Sequence, residues 1–98
     1  MNLKLNYEGF ERYLKYKDSL YGGIHYIFRF ENGYGASVIK HGGSYGRELD
    51  LWELAVIKYT GEGDRDWNLT YETEITDDVI GHLTDDEVKD LLKRIKEL

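Results

Sequence analysis

The sequence predicts an α+β domain: an antiparallel β-sheet meander of about four strands packed against a C-terminal α-helix, with a short N-terminal helix. Three observations predict it. Alternating apolar runs flank an Asn32-Gly33 pair, two further strand-like runs follow at short intervals, and residues 82–98 carry helix capping and one apolar stripe. At 98 residues the chain reads as one domain, since two cores of ordinary size need more sequence.

Near the N-terminus, Tyr7, Phe10, Tyr13 and Leu14 recur at the spacing of one helix face, and Asn6 stands where an N-cap would. A short amphipathic helix is expected there, ending before Gly22-Gly23. Gly9 weakens it by about 1 kcal/mol relative to alanine.

In the stretch GIHYIFRFENGYGASVIKH, Ile24, Tyr26, Phe28 and Phe30 alternate with His25, Ile27 and Arg29. Asn32-Gly33 suits the two positive-φ positions of a type I′ turn. Closing the hairpin there sets Ile27 opposite Val38, Tyr26 opposite Ile39 and Phe28 opposite Ser37. A loop through HGGSYGREL leads to LWELAVIKY, a third strand rich in β-branched and aromatic residues. TGEGDRDWN breaks the pattern, and LTYETEI resumes alternation as a fourth strand. TDDVIG reads as a single helical turn between Thr76 and Gly81.

The terminal helix has both ends specified. Thr84 and Glu87 make a capping box, Leu83 can staple onto Val88, and Asp85 and Asp86 suit the positive helix end. Lys93, Arg94 and Lys96 suit the other end. Val88, Leu91, Leu92 and Ile95 form the buried stripe.

The chain has no cysteine, so disulfides and thiolate metal sites are excluded. No basic leader opens it and no apolar run reaches the roughly 18 residues of a membrane span, so an intracellular soluble protein is expected, with no membrane and no cofactor. Residues 1–49 carry seven Lys/Arg and five Asp/Glu, or +2, and residues 50–98 carry six and fourteen, or −8. So acidic a half disfavours direct nucleic-acid binding.

Apolar residues fall on both faces of the expected sheet: Tyr26, Phe28, Phe30 and Ile39 on one, Ile27, Ala36 and Val38 on the other. Trp52, Leu54 and Val56 likewise oppose Leu51, Ala55 and Ile57. One long helix covers one face, so the N-terminal helix, a target protein or a second copy in a homodimer is expected on the other.

Several motifs imitate chemistry without its context. Gly42-x-Ser44-x-Gly46 spells a nucleophile elbow, but it lies between two expected strands and only His82 follows it, so a glycine loop is the expected state. Asp64, Asp66 and Asn68 match the start of a calcium loop, which then fails at Leu69 and Ile75. His25 and His41 fall on opposite hairpin faces, and Glu72 and Glu74 are expected on an exposed strand face. No catalytic, metal or cofactor residues are assigned. The acidic run is different: Glu62, Asp64, Asp66, Glu72 and Glu74 have no helix start to serve and are candidates for a partner surface. Tyr34, Tyr45, Trp52 and Trp67, aromatic residues beside loops, are the other candidates.

Together ENGYGASVIKH, SYG, LWELAVIKY and ITDDVIGHLTDDEVKDLLKRIKEL resemble a group of small, mostly uncharacterised proteins encoded by bacteriophages and prophages. The resemblance covers roughly residues 25–98 and carries no catalytic residues with it. It implies a phage-type protein in the bacterial cytoplasm that acts by binding a host or phage protein. The expected function is therefore non-enzymatic protein binding. The alternatives are a DNA-mimic inhibitor of a host nuclease or defence system carried by the carboxylates at 62–74, and a small enzyme with an unrecognised site, which a deep pocket lined by Ser44 and His82 would support.

Overall fold

The computed structural model describes residues 3–20, 22–40, 51–75 and 79–98. Within them one sheet is built from β1 (Leu14–Leu20), β2 (Gly23–Arg29), β3 (Tyr34–Lys40), β4 (Trp52–Tyr59), β5 (Trp67–Leu69) and β6 (Ile80–Leu83), followed by the helix α1 (Asp85–Lys96). The first five strands lie side by side in chain order, every pair antiparallel. β5 and β6 share the remaining side of β4, β5 on Ile57–Tyr59 and β6 beside Trp52 and Leu54. The α+β class, the antiparallel meander and the C-terminal helix all stand as the sequence predicts.

α1 forms as its capping residues dictate. The Thr84 hydroxyl accepts from the Glu87 N–H at 3.2 Å, and the Glu87 carboxylate accepts from the Thr84 N–H at 3.0 Å. Val88, Leu91, Leu92 and Ile95 are buried against the first face of the sheet, where Tyr26, Phe28, Ala36, Val38, Trp52, Leu54 and Val56 form the main core. Each large apolar side chain fully buried there contributes about 2 kcal/mol.

The N-terminal segment is not the expected helix. It makes tight turns, with the Phe10 N–H on the Tyr7 carbonyl and the Tyr13 N–H on the Phe10 carbonyl, Gly9 at φ 96°, and a single 3-10 turn at Glu11–Tyr13. Asn6 caps locally: its side-chain oxygen accepts from the Glu8 N–H at 3.2 Å. Tyr7, Phe10, Tyr13 and Leu14 do pack on one side, against the first face. Successive tight turns bring every third residue to the same side, which is why the spacing reads as helical. The second half of that segment is β1.

The hairpin is real but its register differs by one residue from the expected one. Residues 31–33 form a three-residue loop: the Gly33 N–H bonds to the Phe30 carbonyl at 3.2 Å and the Phe30 N–H to the Tyr34 carbonyl at 2.8 Å. Gly33 has φ 86°, while Asn32 stays out of the left-handed region. Tyr26 therefore pairs with Val38, Ile27 with Ser37 and Phe28 with Ala36. A shift of one residue exchanges the faces, so Ala36 and Val38 join the main core and Ile39 moves to the other side. Beside the loop, a Cβ on Gly35 would stand 2.0 Å from the Phe28 carbonyl oxygen, so only glycine fits.

The expected fourth strand ends after Leu69. The Thr70 N–H still reaches the Val56 carbonyl at 3.0 Å, but the Thr70 and Thr73 hydroxyls then accept from the Glu72 and Ile75 N–H groups. Such side-chain turns draw the backbone off the ladder. β6 occupies Ile80–Leu83 and so takes in Ile80 and Gly81, the end of the stretch expected to be a helical turn. Residues 76–78 of that turn and the HGGSYG loop, with His41, Ser44 and Tyr45, lie outside the described residues. Among the described residues no helix is long and apolar enough to cross a membrane.

Candidate functional site

Strand register places His25, Ile27 and Arg29 of β2 with Ser37 and Ile39 of β3 and Ala55, Ile57 and Tyr59 of β4 on the second face. Ile27 and Ile57 are fully buried, and Ala55 and Tyr59 nearly so. Over Ile27, Ile57 and Tyr59 the cover is the chain itself. Tyr16 of β1 and Trp67 of β5, from the two ends of the strand order, pack together against Ile27, Ile57 and Tyr59.

Polar contacts hold this closure. The Trp67 indole N–H donates to the Tyr16 hydroxyl at 3.0 Å, and the His25 and Trp67 rings meet in a T-shaped pair with centroids 6.3 Å apart. Arg65 lies 4.0 Å over the Tyr16 ring and donates to both Asp18 carboxylate oxygens, at 2.9 and 3.4 Å. Arg29 donates to the Gly61 and Glu62 carbonyls, each at 3.1 Å, and stacks 4.2 Å above Tyr59. The Tyr59 hydroxyl donates to the Asp64 carbonyl at 2.9 Å. The β4–β5 hairpin is thereby pinned on the second face, and over Ile27, Ile57 and Tyr59 the cover comes from the chain's own Tyr16 and Trp67 rather than from an N-terminal helix.

The same contacts set the electrostatics. The hydrogen bond from Arg65 holds the Asp18 carboxyl below the usual carboxylate range and raises Arg65 in return. Burial pushes the Tyr59 phenol up to about 12. Among the described residues no group of three or more histidines and carboxylates is placed to hold a metal ion. In the Asp64-Asp66-Asn68 stretch, the Asp66 carboxylate instead accepts from the Gly63 N–H at 3.0 Å, closing the turn.

The candidate residues divide sharply. Trp52 is only 1 % exposed: its indole N–H donates to Asp85 at 2.7 Å and Lys40 lies 4.1 Å over its ring, so it is a core residue with no surface to offer a partner. Trp67 is half-buried in the closure. Tyr34 is half-buried against the main core, with the Lys58 amine 5.2 Å above its ring. The five carboxylates are exposed: Glu62, Asp64 and Asp66 in the β4–β5 loop, Glu72 and Glu74 in the segment after β5. None of the five is in an ion pair among the described residues.

Between those two acidic groups stand Leu69 and Tyr71, the exposed large hydrophobic residues among those described, at 46 % and 43 %. Sequence reasoning passed over them, because alternation in LTYETEI reads as a strand with a buried face. It also missed Tyr16, Asp18 and Arg65. The lone Arg65 inside an acidic run was the available signal, since a single cation there needs a reason. An open cleft of about 660 Å³ lies elsewhere, between the N-terminal segment and the start of α1, lined by Lys4, Leu5, Asn6, Tyr7, Glu8, Glu11 and Asp85. Comparison with family models, with curated proteins and with solved structures returns no match.

Proposed function

We propose that this chain is a non-enzymatic protein-binding module whose contact surface is the strip running from the β4–β5 loop through residue 74. The observation that carries the reading is the exposure of Leu69 and Tyr71 between two sets of carboxylates without ion pairs. An apolar centre with a charged rim is the anatomy of a protein interface, and the rim here selects a partner with basic residues around an apolar patch. The phage-type setting in a bacterial cytoplasm rests on the wording of the sequence alone and is part of the proposal. So is the identity of the partner as a host or phage protein; a homodimer using this strip is the other form it takes.

The test is capture from bacterial lysate by the tagged chain, beside Leu69→Ser/Tyr71→Ser. A protein held by the wild type and lost with the variant supports the reading. Equal capture by both ends it. The lack of ion pairs at Glu62, Asp64, Asp66, Glu72 and Glu74 favours a second reading, DNA mimicry of a nuclease substrate. Mimicry predicts binding that falls steeply with salt, is lost on neutralising the five acids, and persists in Leu69→Ser/Tyr71→Ser.

A further inference from the structure

We propose that the outer edge of β1 accepts an extended acidic segment of a partner protein as an added strand, an interaction separate from the acidic strip. β1 ends the strand order, and among the described residues no strand pairs with its outer side. It is seven residues long, enough to present a row of outward N–H and C=O groups to an added chain.

The charge of this edge is opposite to that of the protein. Arg12, Lys15 and Lys17 stand within six residues that contain no acid. Lys15 and Lys17 are exposed, and neither is in an ion pair among the described residues. Lys15 sits at the irregularity where the β1–β2 register shifts between Leu14 and Tyr16.

A cavity of about 200 Å³ adjoins the start of the strand, lined by Arg12, Tyr13, Lys15, Arg29, Phe30 and Glu31. Arg29 is in that lining, and its guanidinium is held by the Gly61 and Glu62 carbonyls. Arg12 is paired with Glu31 at 2.9 Å, but both side chains are more than two-thirds exposed, at 71 % and 81 %. An incoming carboxylate exchanges with Glu31 at little cost, because an exposed pair contributes little.

Main-chain bonding to the edge would supply affinity without regard to sequence, while the cations and the cavity select acidic side chains. Lysines on an edge strand also serve to deter pairing, and the experiment separates the two roles.

The probe is a capped synthetic heptapeptide alternating glutamate and valine, titrated into the isotope-labelled full chain and followed by amide chemical shifts. The expected result is perturbation centred on Leu14–Leu20 and on Arg12 and Arg29, with an affinity about tenfold weaker in Lys15→Glu/Lys17→Glu. A lysine–valine peptide, and a glutamate–valine peptide N-methylated at alternate residues, should both fail to bind. Three results overturn the proposal: no perturbation of β1 by the acidic peptide, equal binding of the N-methylated peptide, or self-association of the chain alone that Lys15→Glu/Lys17→Glu abolishes. The last would put a second copy at the edge.

Discussion

The indole N–H of Trp67 donates to the hydroxyl of Tyr16 at 3.0 Å, joining the first and fifth strands of the sheet order. Each group satisfies the other under the hairpin, so removing one strands its partner. Trp67→Phe and Tyr16→Phe should each lower stability by about 1 kcal/mol. The double variant should cost less than the sum of the two, because one interaction is lost in all three. Urea unfolding midpoints of the four proteins check this, and strict additivity would show that the bond contributes nothing.

Acid stability should depend on Asp18. Its folded-state carboxyl is lowered by the bond from Arg65, against an ordinary value of 3.8. A lowered carboxylate adds stability that is complete above the unfolded value and vanishes as pH falls through the folded one. Asp18→Asn should therefore flatten the stability profile below pH 3.8 and leave its alkaline side unchanged. Both partners are exposed, so added salt should shrink the wild-type slope toward that of the variant. Thermal unfolding across acid pH at two salt concentrations provides the measurement.

Tyr59 gives the opposite sign. Burial raises its phenol from 10.0 to about 12, so the unfolded chain loses that proton first as pH rises. The folded state binds more protons in that window, and stability falls between pH 10 and 12. Tyr59→Phe should remove this contribution to the alkaline loss, while costing about 1 kcal/mol at neutral pH for the bond to the Asp64 carbonyl. Spectroscopic titration of the phenolates should show a late-ionising component that disappears in the variant.

The elements legible in the sequence are those whose evidence is local. β4 reads as a strand from its own composition, and α1 is announced by Thr84, Glu87 and the Val88–Ile95 stripe within one segment. β1 hides because Asp18 interrupts the alternation of Leu14, Tyr16 and Leu20, and Leu14 also continues the helix-like spacing before it. The second face was misjudged because its cover is non-local: Tyr16 and Trp67 lie 51 residues apart, and nothing near either names the other. The exposed carboxylates were legible from the absence of a helix start to explain them. Leu69 and Tyr71 were not, since their exposure follows from where Thr70 and Thr73 turn the chain away.

Asn32 should prove to be a helix cap as much as a turn residue. Its side-chain oxygen accepts from the Tyr34 N–H at 3.0 Å, and its amide nitrogen stands 2.9, 3.1 and 3.2 Å from the carbonyls of Ile95, Lys96 and Leu98. The Ile95 carbonyl also accepts from the Leu98 N–H at 3.2 Å, but the last carbonyls of a helix run short of helix donors, and the Asn32 amide adds a partner there. A residue needed only for the turn is replaced well by aspartate, which keeps the acceptor and the local geometry. A residue needed for the helix end is not, because aspartate has no donor and brings negative charge to the negative end of the dipole. Asn32→Ala should cost about 2 kcal/mol for the lost turn and helix-end bonds, and Asn32→Asp more than Asn32→Ala at neutral pH. In a domain of this size that lowers Tm by about 10 °C. The aspartate variant should recover part of the loss as acid protonates its carboxyl and restores a donor, so the ranking at neutral pH and its narrowing in acid together separate the two roles.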